Sequence, residues 1–207
     1  MKTFALVAPF VFLAISAVRG TPLVGNVRRG TSDTALTQTQ ALQFALTLEH
    51  LENAYYTEAL AKFSKADFLK AGYKDWQYGR LTQIADHEAT HVKFLTTTLG
   101  ADAVDADEYN FQYTTPGDVF KTSLMLERVG TAAYLGAAHF LTDPNVITAA
   151  GAILTTEARQ ASWTNSAVFM REGWPGPYET PLTPNQVYTI ASQFITNSPQ
   201  TNPELPV

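Results

Sequence analysis

The chain has no cysteine. That excludes disulfide staples, thiolate metal sites, iron–sulfur clusters and cysteine nucleophiles, and leaves the fold to stand on its apolar core. Basic residues are not in excess. Fourteen Lys and Arg face nineteen Asp and Glu, a net charge of −5, so there is no electrostatic footprint for nucleic acid. N-glycosylation acceptors are missing, because Asn165 and Asn197 each lack a hydroxyl residue two places on. A Gly-x-Ser-x-Gly elbow and a phosphate-binding loop are also absent, which removes serine-hydrolase and nucleotide-binding readings. Beyond residue 20 no apolar run is long enough to span a membrane, and no stretch alternates as a strand does.

What is present divides into four parts. Residues 1–20 begin with Lys2, continue through an apolar run from Phe4 to Val18, and end in small residues at Ala17 and Gly20. This is the pattern of a secretory signal peptide, so a secreted, extracellular protein is expected, with no membrane attachment after its removal. Residues 21–34 have Pro22, Gly25 and Gly30 and no period. They read as an exposed leader, with Arg28-Arg29 as a candidate dibasic processing site. Residues 35–197 form one helical domain, and the proline-rich stretch 198–207 reads as a flexible tail. The hydrophobic fraction of 45% suits a single domain with a substantial core.

Within the domain, apolar residues recur every three or four positions. A first helix is expected over about 35–64, capped by Ser32 or Asp33, with Gly72 closing the region. Its inner row is Leu42, Ala45, Glu49, Glu52, Tyr56, Ala59 and Phe63. A second helix runs over about 75–99 and stops at Gly100, with Leu81, Ile84, Glu88, His91 and Leu95 facing inward. An acidic connection, 101–115, is read as solvated: Asp102, Asp105, Asp107 and Glu108 lack the spacing of a calcium loop. A third helix follows over about 118–141 and a fourth over about 145–171. A turn-rich loop carries Trp174 and Tyr178, whose rings are expected to pack on the bundle. Thr183-Pro184 opens a short fifth helix. Helices of roughly 25 residues would each span about 37 Å. One long link between the second and third makes an all-α four-helix bundle with a crossover and a short C-terminal helix.

Carboxylates interrupt these apolar rows in every long helix: Glu49 and Glu52, then Glu88, then Glu127, then Glu157. A buried carboxylate costs several kcal/mol unless paired, protonated or metal-bound. Four helices sharing that cost are hard to explain by packing, and divalent cations would balance it. Glu88 and His91, three apart, lie on one face and can reach one site. Carboxylates with imidazole suit iron or manganese. Tyr56 follows Glu49 by seven residues, as Tyr134 follows Glu127, so each tyrosine shares its glutamate's stripe. Each is a candidate for redox work, for hydrogen bonding to a glutamate, or for simple packing. Ile84-x-x-x-Glu88-x-x-His91 aligns with Ile153-x-x-x-Glu157-x-x-Gln160, a weak internal repeat of two helical hairpins.

Taken together, Leu48-Glu49-His50-Leu51-Glu52-Asn53-Ala54-Tyr55-Tyr56, His87-Glu88-x-x-His91, Leu126-Glu127-Arg128-Val129-Gly130 with Tyr134, and Glu157-Ala158-Arg159 resemble the ferritin-like superfamily. More narrowly they are similar to secreted fungal stress-response and sexual-development proteins and to plant desiccation-related proteins. The likeness covers about residues 37–171. It implies a di-iron or di-manganese site with Glu49, Glu88, His91, Glu127 and Glu157 as ligands. The departure is Gln160, where the superfamily pattern has a histidine; Glu52, one turn from Glu49, is a candidate to compensate. The resemblance implies chemistry on oxygen or peroxide. The alternative is a non-catalytic metal-binding or structural stress protein that has lost some or all of the metal.

Overall fold

A computed structural model describes residues 36–204. The expected signal peptide, the leader and the Ser32/Asp33 cap lie outside the described residues. Six α-helices are present: α1 (Gln38–Lys62), α2 (Lys65–Lys70), α3 (Asp75–Leu99), α4 (Pro116–Ala137), α5 (Pro144–Trp163) and α6 (Pro184–Ala191). The four long ones form the bundle, with α1 packed along α3, α4 along α5, and α1 against α4. No helix among the described residues is long and apolar enough to cross a membrane.

Local sequence sets where the helices begin. Thr37 with Gln40, and Thr115 with Asp118, form capping boxes at α1 and α4. Asp143 caps α5, with Pro144 at its first position. Three or more hydroxyl and backbone donors around Asp118 hold its carboxyl down to about 2 despite the opposing effect of burial. α3 ends at Gly100, whose φ of 58° suits a residue without a side chain.

Two boundaries differ from the sequence reading. The first helix does not run on to Ser64. Phe63 leaves it with extended backbone, and Ser64 starts α2 through its own capping box with Asp67. That break turns Phe63 toward Phe68 and Tyr113. The fourth helix ends at Trp163 and passes into a π turn, Thr164–Val168.

The crossover is more than a solvated loop. Its acidic residues face outward, but Val104, Phe111 and Tyr113 are buried in the core. Short strands β1 (Glu108–Tyr109) and β2 (Ile195–Asn197) pair antiparallel, an element the sequence did not signal. This strap covers the outer side of α1, and the Tyr55 hydroxyl donates to the Val119 carbonyl at 2.7 Å. In consequence α1 is buried on nearly every side.

The loop after α5 also departs from expectation. Trp174 and Tyr178 are 71% and 64% exposed and do not pack on the bundle. The loop instead flanks a cavity of about 280 Å³ between itself, α5 and Arg128 of α4.

A carboxylate and histidine cluster in the bundle core

The bundle turns five glutamates to one point midway along its length. Glu49 and Glu52 come from α1, Glu88 from α3, Glu127 from α4 and Glu157 from α5, all buried. His91 joins them from the turn after Glu88. Its Nδ1 lies 3.0 Å from Glu88 Oε2 and 3.2 Å from Glu49 Oε2. Ligand atoms of Glu49, Glu88, His91 and Glu157 all lie within 4.8 Å of one another. Glu52 and Glu127 border this group. Glu52 shares a hydrogen bond with Glu88, which requires a proton between the two carboxyls.

The two tyrosines make reciprocal bonds. Tyr134, on α4, donates to Glu49 Oε1 on α1 at 2.5 Å. Tyr56, on α1, donates to Glu127 Oε1 on α4, while the Ser123 hydroxyl stands 2.8 Å from its oxygen. Each tyrosine therefore fixes the glutamate of the opposite helix, and not the one on its own stripe, which spacing alone suggested.

Burial, followed by mutual repulsion, governs the charge state. It lifts Glu49 to about 7, although the hydrogen bond from His91 pulls the other way. Burial also pushes Glu52, Glu127 and Glu157 well above the usual carboxylate range, with neighbouring glutamates adding to it. His91 is pulled down by burial but raised more by hydrogen bonds and charge from Glu49 and Glu88, to about 10. Without a cation the cluster thus holds protons on several members.

Whether these donors fit a metal can be judged from what they leave unpaired. Glu127 Oε2, both oxygens of Glu157 and Gln160 Oε1 are buried without a hydrogen-bond partner. Such oxygens are rare in folded proteins and costly. They belong to the faces that converge on the cluster, and an oxygen-rich set with one imidazole suits iron or manganese. The fit is good.

Gln160 is 6% exposed. Its amide nitrogen donates to Glu88 Oε1 at 3.2 Å and to His87 Nδ1 at 3.1 Å. His87 thus supports Gln160 from the surface, as an outlying position predicted. His50 bonds the Val104 carbonyl, away from the cluster.

One contributor escaped sequence reasoning. A Cβ at Gly130 would stand 2.6 Å from Glu157 Oε2. The glycine makes room for that carboxyl, and its place three residues after Glu127 was the available signal. Gly130→Ala should keep the fold but push Glu157 off its position, lowering metal affinity by about tenfold or more, the scale of outer-sphere changes; isothermal titration with Mn(II) would measure it.

Residues 37–170 match the family model of the ferritin-like domain, most of the described chain. The chain belongs to the ferritin-like family. It is also 30% identical over 172 residues to protein rds1 of Schizosaccharomyces pombe. That alignment takes in 80% of this chain but only 41% of the relative's length. In this ferritin-like chain the helical pairing, the glutamates on four helices and the Glu88-x-x-His91 pair stand together, and Gln160 is its local departure.

Proposed function

We propose that this ferritin-like protein binds a pair of redox-active cations, iron or manganese, in its bundle core and acts on oxygen or peroxide outside the cell. The reading rests above all on one observation: five buried carboxylates converge on a single imidazole while four of the side-chain oxygens around them lack a partner. Two such cations would exchange electrons with the bound oxidant.

The chain's own residues do the rest. Glu49 and His91 hold one end of the centre and Glu127 the other, with Glu88 and Glu157 between them. Tyr134 and Tyr56 hold protons against Glu49 and Glu127, which fixes both carboxylates before a cation arrives. The closed bundle excludes bulk water, so small oxidants suit it better than large substrates. The leading apolar segment supports secretion, and the likeness to stress and development proteins supports a protective role.

A second reading has one observation in its favour. Gln160 offers a neutral amide where imidazole would bind more strongly. On that reading the protein binds metal without turnover, or has kept only the bundle.

Metal content separates the readings. Protein purified without chelators should carry iron or manganese and consume peroxide or oxygen. His91→Ala should lose the ion at its end of the centre, with helicity by circular dichroism unchanged. A wild-type protein that stays metal-free after loading with either ion would sink the proposal.

A further inference from the structure

The two halves of the core are related by the internal repeat, and they differ at two places. Aligning Glu49 and Tyr56 with Glu127 and Tyr134 sets Glu52 of α1 against Gly130 of α4. Aligning Glu88 with Glu157 sets His91 of α3 against Gln160 of α5. One half has thus lost an imidazole, and the other has gained a carboxylate.

The extra carboxylate lies where the imidazole is missing. Glu52 is buried and bonds Glu88, the glutamate that also receives the Gln160 amide. The charges nearest Glu52 include Glu127, and the charge acting most strongly on Glu157 is that of Glu52. Glu127 Oε2, both Glu157 oxygens and Gln160 Oε1, the unpartnered buried atoms, are on this same side. All of them are oxygens. The opposite side has His91 with Glu49, Glu88 and Glu157.

We propose that the two ends of the centre select different ions: an imidazole-bearing end at Glu49 and His91, and an all-oxygen end at Glu52, Glu127 and the Gln160 amide oxygen, with Glu88 and Glu157 facing both. This rests on the reading of the core as a metal centre. Hard oxygen donors suit Mn(II), whereas imidazole suits iron and zinc. Glu52 supplies the anionic donor that offsets the lost histidine, and the charge of a fifth carboxylate holds the harder ion. The centre is then built for two unlike metals, not a matched pair.

Zn(II) and Mn(II) serve as redox-silent probes. Metal-stripped full-length protein, given one equivalent of Zn(II) and then excess Mn(II), should retain one of each after desalting, counted by elemental analysis. Glu52→Gln should weaken Mn(II) binding by about tenfold or more while leaving the first zinc within about twofold. Gln160→His should convert the second end, so that a second Zn(II) displaces Mn(II). Unchanged Mn(II) uptake in Glu52→Gln, or an unaltered preference in Gln160→His, overturns the inference while the metal centre stands. Uptake of neither ion by the wild-type protein overturns both.

Discussion

Stripped of metal, the protein will melt at a lower temperature at pH 8 than at pH 5. Glu49 has a folded value of about 7 against 4.5 for an unperturbed glutamate, chiefly because burial disfavours its charge. The folded state therefore holds a proton that the unfolded state releases. Stability from that difference is complete below about pH 4.5 and is lost as pH rises through about 7. Glu52, Glu127 and Glu157 are raised for the same reason and act in the same direction. His91 adds to the trend: burial lowers it, but Glu49 and Glu88 lift it to about 10. Its contribution is full below 6.5 and fades as pH rises toward 10. At about 1.4 kcal/mol per unit, Glu49 alone accounts for on the order of 3 kcal/mol, or roughly 6–12 °C in a domain of this size. Mn(II) or Fe(II) should reverse the order. Ligands must shed protons to bind, so metal stabilises most at high pH, by about 2.7 kcal/mol at a hundredfold excess over Kd. Calorimetry at pH 5, 6.5 and 8, with chelator and with metal, checks both halves. A chelated sample that gains stability with rising pH would show that the cluster does not hold these protons.

Gly136→Ala should be the most damaging single methyl in the described chain. A Cβ there would fall 1.8 Å from the Leu182 carbonyl oxygen, which is backbone and cannot swing aside. The Leu182 amide also donates to the Ala132 carbonyl at 3.1 Å, so the segment is fastened to α4 on both sides of the contact. Relief requires the segment to lift, and it leads directly into α6, whose Val187 is fully buried in the core. Overpacking against backbone of this kind costs about 3 kcal/mol or more. Urea denaturation would register the loss, and tryptophan fluorescence the displaced segment. Metal stoichiometry should hold, because the damage is at the α6 end and not among the carboxylates.

Much of the fold and of the cluster was legible. α3 was read to its limits because its inner row is regular and Gly100 ends it. The glutamates were legible as faults in apolar rows, an energetic signal independent of partners. What escaped depends on contacts between distant segments. The end of α1 at Phe63 is set by where that ring finds Phe68 and Tyr113. The crossover looked solvated because its acids are outside, while Phe111 and Tyr113 were too few to show a period. The pairing of β1 with β2 joins residues nearly ninety apart in sequence, and two or three residues leave no alternation to read. The tyrosines were assigned to the right stripe, but only the bundle's packing decides that each crosses to the opposite helix.

That crossing also sets an order of events. The bonds Tyr56–Glu127 and Tyr134–Glu49 close loops of 71 and 85 residues. Neither hairpin, α1 with α3 or α4 with α5, can complete its own half. Local helix contacts form early, whereas long-range closures wait on chain entropy. The core cluster is therefore the last part of the chain to assemble, and a nascent N-terminal hairpin leaving the ribosome alone presents its glutamates and His91 without the partners that shape them.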